Sequence, residues 1–108
     1  MSETYDVTLP VLAAITQLPG SIFFRVNCGT FRTLDLKRII KSTSIEGVSD
    51  IIGGYRGIGI AMETKTISGK QEKTQRIFQR QWEKSGNLYF IIRSPEAALA
   101  ALAEIKPL

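Results

Sequence analysis

From Gly57 to Thr66 the chain alternates with a period of two: Ile58, Ile60, Met62 and Thr64 fall on one side, Gly59, Ala61, Glu63 and Lys65 on the other. A half-buried strand has that period. The next two segments narrow the fold further. Gln71 to Ser85 reads as a helix that closes at Gly86, and NLYFIIR, Asn87 to Arg93, as another strand. A helix between two strands predicts a parallel crossover.

Upstream, Val11, Leu12, Ile15 and Leu18 share one helical face, with Thr8 as an N-cap, Pro10 in the first turn and Pro19-Gly20 as the stop, which predicts a helix over about residues 9–18. SIFFRVN (Ser21 to Asn27) reads as a strand closed by a Cys28-Gly29-Thr30 turn, and Phe31 to Ile40 as a second extended stretch. KSTSIEG (Lys41 to Gly47) reads as a loop, and VSDIIGG (Val48 to Gly54) as a short strand that ends in a glycine turn. Ser94-Pro95-Glu96 opens a last, alanine-rich helix. The order is α β β β β α β α, an α/β chain (α+β, mixed sheet) and not an all-parallel one. With no repeat, low-complexity tract or linker, residues 1–108 are expected to form one domain.

There is no histidine and only one cysteine, Cys28, so Ser-His and Cys-His catalysis, zinc sites of the Cys/His type and a disulfide framework are all excluded. No apolar run approaches the roughly 18 to 20 residues of a membrane span, and the acidic MSETYDV start has no signal pattern, so a soluble, cytoplasmic protein with no membrane partner is expected. Positive charge is concentrated in the middle. Residues 20–94 hold 13 Lys and Arg against 6 Asp and Glu, a net +7, while the two ends together carry −3. Such a distribution attracts polyanions, nucleic acid foremost, and equally serves solubility.

Chemistry is carried by two carboxylates and an amine. Antiparallel strands joined by a glycine turn can bring Asp50 beside Glu63, giving the paired oxygens that a hard cation such as Mg²⁺ prefers, with Lys65 on the same face as Glu63. Asp50 lies among Val48, Ile51 and Ile52, and Glu63 among Ile60, Ala61 and Met62, so both are expected in half-buried strands, where a charge without a partner is costly. Ala61 and Gly59 leave that face nearly bare, to admit either a ligand or a closely packed helix. The glycines from Gly53 to Gly59 do not form a dinucleotide loop, because their spacing is wrong and a strand, not a helix, follows them.

The string EGVSDIIGGYRGIGIAMETKTISGKQEKTQ resembles the virus-type replication-repair nuclease (VRR-NUC) branch of the PD-(D/E)xK nuclease superfamily, where a Gly-x-x-Asp strand, a glycine turn, a strand ending in Glu-x-Lys and a helix carrying glutamine follow in this order. The likeness runs from the first helix to about Ser94 and includes Phe24-Arg25-Val26-Asn27, similar to the family's Arg-x-Asn segment. It implies a restriction-endonuclease-like αβββαβ core, here with an extra C-terminal helix. It implies Asp50 and Glu63 as metal ligands joined by the carbonyl of Thr64, Lys65 as the catalytic lysine and Gln75 as the supporting glutamine. An acid on the first helix often joins such sites; Asp6 is the first candidate and Glu3 the second. Ser49 stands where the superfamily name has proline, and Met62 where a β-branched residue is usual.

On the second helix Gln71, Gln75, Phe78 and Trp82 share the packing face, while Lys73, Arg76, Arg80 and Lys84 form a basic stripe. Beside a nuclease-like site, Arg25, Asn27, Lys73, Arg76 and Arg80 are expected to contact DNA. Trp82, Tyr55 and Tyr89 are expected in the core or at an interface rather than stacked on bases. The last helix carries more apolar surface than a small domain needs and either closes the core or pairs with a second copy. The leading expectation is a Mg²⁺- or Mn²⁺-dependent endonuclease that hydrolyses phosphodiester bonds in branched DNA, a homodimer similar to a Holliday-junction resolvase in DNA repair. The alternatives are a catalytically weak nucleic-acid-binding or assembly module and a sequence-dependent nuclease on linear duplex.

Overall fold

The computed structural model describes residues 3–26, 30–32, 39–41 and 46–107. In chain order the elements are a π-helical turn Thr4–Thr8 running into α1 (Leu9–Ile15), β1 (Ser21–Arg25), β2 (Thr30–Arg32), β3 (Ile39–Lys41), β4 (Ile51–Tyr55), β5 (Ile58–Thr64), α2 (Lys73–Lys84), β6 (Leu88–Ile92) and α3 (Pro95–Ala103). The result is a mixed α+β domain. Its four-stranded sheet has the order β1-β4-β5-β6, with β1, β4 and β5 antiparallel and β5 and β6 parallel across the α2 connection.

The alternation in β5 is used on both faces, because the sheet is covered on both sides. On one side Val7, Val11 and Ile15 of the first helix and Ala98 and Leu102 of α3 bury Ile60 and Met62 of β5 together with Ile51 and Ile92. On the other side Phe78 of α2 closes over Ala61 and Tyr89. The small residue at Ala61 therefore serves helix packing and not ligand access. Tyr55 and Tyr89 are buried, and Trp82 is half-buried with its Nε1 donating to Leu88 O at 2.7 Å, so all three aromatics are structural. Residues Ala98 and Leu102 show that the last helix closes the core. No helix among the described residues is long and apolar enough to cross a membrane.

Three expectations are corrected. The first helix starts earlier than a Thr8 cap allows: Thr8 is itself helical, with φ −59° and ψ −53°, and the Leu9 amide donates to Thr4 O in the wider i→i−5 pattern. Pro10 has no amide to donate, so it is tolerated where one helical geometry passes into the other. The stretch Phe31 to Ile40 is not one continuous extension, since Phe31 and Ile40 are cross-strand partners in a separate antiparallel pair, β2 with β3; residues 33–38 lie outside the described ones. Finally, Gly53 and Gly54 sit inside β4 and are not a turn. A β-carbon at Gly53 would run into Ile22 O and the Phe23 ring of the neighbouring strand. The reversal falls at Arg56-Gly57, whose φ values of 52° and 84° are those of a two-residue hairpin with the twist of the strands it joins.

Candidate active site

In the β4–β5 register Ile51 stands opposite Met62, so Asp50, one residue before β4, lies level with Glu63. Asp50 Oδ2 accepts from the Thr64 amide at 2.9 Å and from Thr64 Oγ1 at 2.8 Å. Because the Thr64 hydroxyl donates its hydrogen bond to Asp50, it accepts from Thr8 Oγ1, so a buried hydroxyl chain ties the first helix to this carboxylate. Polar side chains on the apolar stripe of a helix are costly unless they are hydrogen-bonded, and this chain meets that demand for Thr8.

Glu63 and Lys65 alternate onto the α2 side of β5, and both are buried, with 2% and 7% of their surface exposed. Glu63 Oε2 lies 3.5 Å from Lys65 Nζ and accepts from Gln75 Nε2 at 2.9 Å. The other end of the same amide, Gln75 Oε1, accepts from the Glu72 amide at 2.8 Å where α2 begins. Gln75 thus fixes the helix start and the Glu63 carboxylate together. Glu63 Oε1 is buried and has no hydrogen-bond partner among the described residues. Burial and then the neighbouring Asp50 charge push the Glu63 carboxyl up to about 8, against the pull of Lys65 in the opposite direction.

The first helix also contributes a carboxylate. Glu3, Asp50 and Glu63 each offer an oxygen, and these atoms all lie within 4.8 Å of one another. Glu3 Oε2 also accepts from the Thr66 amide at 3.3 Å. Asp6, the first candidate for this position, is exposed. The earlier start of the helix explains the difference, because it carries Glu3 to the end of β5. Thr64 reaches Asp50 through its amide and hydroxyl.

Of the residues expected to touch DNA, Lys73, Arg76 and Arg80 are exposed on α2, and Arg25 is exposed on the edge strand β1 opposite Ile51. Asn27 lies outside the described residues, as does Cys28. Two contributors escaped the sequence reading. Thr8 sits three and seven residues before the buried Val11 and Ile15, and a hydroxyl on that stripe was the available signal. Arg93, whose guanidinium holds the turn after Lys65, had no local signal at all.

Three clustered carboxylates and the ammonium paired with Glu63 leave a net charge of −2 when all are ionised, with Glu63 and Lys65 buried and Glu3 and Asp50 half-buried. The donors are all oxygen and one of them, the buried Glu63 Oε1, has no hydrogen-bond partner among the described residues, a set suited to a hard divalent cation rather than to zinc or copper. No protein-family model, curated protein or solved structure matches the chain.

Proposed function

We propose that this protein is a Mg²⁺- or Mn²⁺-dependent endonuclease that hydrolyses phosphodiester bonds in branched DNA, in the manner of a Holliday-junction resolvase of the VRR-NUC type, acting in DNA repair as a homodimer. The observation that carries this reading is Glu63 Oε1, a buried oxygen without a hydrogen-bond partner among the described residues, beside Asp50 and Glu3. Removing the β2–β3 pair from the element order leaves α1-β1-β4-β5-α2-β6 with α3 added, which supports a restriction-endonuclease-like core. The exposed basic stripe of α2 supports a polyanionic substrate. A two-fold dimer would present two sites in opposed senses, as the strands of a junction require.

Asp50, Glu63 and Glu3 would hold the cation, which supplies Lewis acidity towards a phosphoryl oxygen and towards the attacking water. Thr64 directs Asp50 by occupying its Oδ2 with two donated hydrogen bonds. Gln75 and Lys65 hold Glu63 Oε2, which leaves Oε1 as the free ligand atom. The Lys65 ammonium, 3.5 Å from Glu63 Oε2, would orient the water by hydrogen bonding and offset negative charge that builds on the phosphoryl oxygens during in-line attack.

The test is cleavage of junction, flap and linear DNA with Mg²⁺ or Mn²⁺ by the wild type and by Glu63→Ala and Lys65→Ala. The expected result is metal-dependent cutting of the branched substrates that both substitutions abolish. Cutting that survives both overturns the assignment, and salt-sensitive DNA binding without any cutting would make the protein a binding module instead.

A further inference from the structure

The segment between β5 and α2 is an unusual place for a tightly held turn, because it is almost entirely solvent-facing: Ile67 is 93% exposed, and Ser68 and Lys70 are exposed or half-exposed as well. Its geometry is nevertheless fixed. Gly69 N donates to Thr66 O at 3.0 Å, closing the turn. Arg93 Nη1 donates to Thr66 O at 2.6 Å and Gly69 O at 2.7 Å, with Ile67 O at 3.4 Å. The parallel pairing puts the arginine there: Thr64 is level with Ile92, the Lys65 amide donates to Ile92 O at 3.0 Å, and the next residue along the chain after β6 is Arg93.

Beneath this turn runs the Lys65 side chain. A β-carbon built on Gly69 would lie 3.4 Å from both Lys65 Cβ and Cδ, so the backbone of the turn covers the lysine stem. That cover accounts for a lysine only 7% exposed on a strand end whose following residues are open to solvent. A lysine stem has several rotatable bonds and holds one direction only when packing removes the others. Here the packing surface is a turn whose carbonyls point to one guanidinium.

We propose that Arg93 is a positioning residue for Lys65: by clamping the carbonyls of Thr66 and Gly69 it closes the 66–69 turn over the lysine stem and aims Nζ at Glu63. Arg93 touches neither the carboxylates nor, in this scheme, the substrate. Its catalytic consequence rests on the nuclease reading above, whereas its effect on Lys65 does not.

Two readouts separate these parts. The first is acylation of lysine amines by acetic anhydride, followed by mass spectrometry on folded wild type, Arg93→Ala and Arg93→Lys, with the exposed Lys73 and Lys84 as internal references. Lys65 should react about 10-fold faster in Arg93→Ala and at an intermediate rate in Arg93→Lys, and guanidinium chloride at tens of millimolar, against NaCl at equal ionic strength, should restore its protection in Arg93→Ala; these are magnitudes of the kind expected from loss of a packed, preorganised cation. Unchanged Lys65 reactivity in folded Arg93→Ala overturns the proposal. The second is steady-state cleavage, where kcat should fall by about 10- to 100-fold with KM for DNA little changed, because the reacting groups are misplaced and not the substrate. A loss confined to KM would make Arg93 a phosphate contact and overturn the positioning role. If the wild type cuts no DNA with either metal, the nuclease reading fails while the acylation result still decides what Arg93 does to Lys65.

Discussion

Glu63→Gln replaces a buried ionisable carboxyl with a permanently neutral amide of the same shape. In the metal-free protein the Glu63 carboxyl is pushed up from 4.5 to about 8 by burial and by Asp50, so between those values the folded state carries a proton that the unfolded state has lost. A raised value places this stabilisation fully below the unfolded pKa and removes it as pH climbs through the folded one. Stability of the metal-free wild type should therefore fall by about 1.4 kcal/mol for each pH unit above 5, levelling off beyond 8. Glutamine mimics the protonated carboxyl: its carbonyl can accept from Gln75 and Lys65, and its amide can donate towards Asp50. The variant should match the wild type at pH 5 and exceed it at pH 7 by about 3 kcal/mol, the value set by the distance between 4.5 and pH 7 on that slope. In a domain of this length that corresponds to roughly 13 °C in melting temperature. Urea titrations at pH 5, 6, 7 and 8 in EDTA measure the gap directly. Repeating them with Mn²⁺ should reverse the order at pH 8, since a bound cation needs the ionised carboxylate. A wild type whose metal-free stability is flat from pH 5 to 8, or a glutamine variant that is the less stable at pH 8 without metal, would refute the account of Glu63 as a charge held neutral by its surroundings.

Gln75→Ala should lower the melting temperature, at a cost of about 1 kcal/mol for the lost contact with the Glu72 amide, and should weaken Mn²⁺ binding by about 10- to 100-fold in calorimetry, because Glu63 loses its orienting donor. Phe78→Ala, which empties the space over Ala61 and Tyr89, should destabilise by about 3 to 5 kcal/mol in urea without altering metal affinity per folded molecule. Replacing Lys73, Arg76 and Arg80 together by glutamine should leave the fold intact by circular dichroism. If each neutralises one phosphate, it should also reduce the slope of log affinity against log salt by about 2 to 3 in fluorescence anisotropy with DNA.

Much of the scaffold was legible because period and spacing are local properties. The alternation from Ile58 to Thr64 and the helix-length gap before Leu88 suffice for an antiparallel hairpin beside a parallel crossover, and the β4–β5 register then brings Asp50 level with Glu63. The misreadings came from residues with two local meanings. Pro10 suits a helix start as well as a place where a hydrogen bond is already missing, and Gly53 suits a turn as well as a strand crossed closely by its neighbour. What no local pattern could reveal was contact between distant parts. Glu3 enters the site because a π-helical turn extends the first helix backwards, and Arg93 because parallel pairing sets it next to a turn formed some two dozen residues earlier.

The hydrogen bond from Thr66 to Glu3 spans 63 residues, and the hydroxyl link from Thr8 to Thr64 spans 56. Contacts of such long sequence separation carry a loop-closure cost that must be met before they reward the fold. The carboxylate group therefore comes together only when the first helix has docked on the β4–β5 hairpin. Asp50 and Glu63 meet within a single hairpin, whereas Glu3 joins them from the start of the first helix, so the acidic cluster is a product of tertiary docking and not of the hairpin alone.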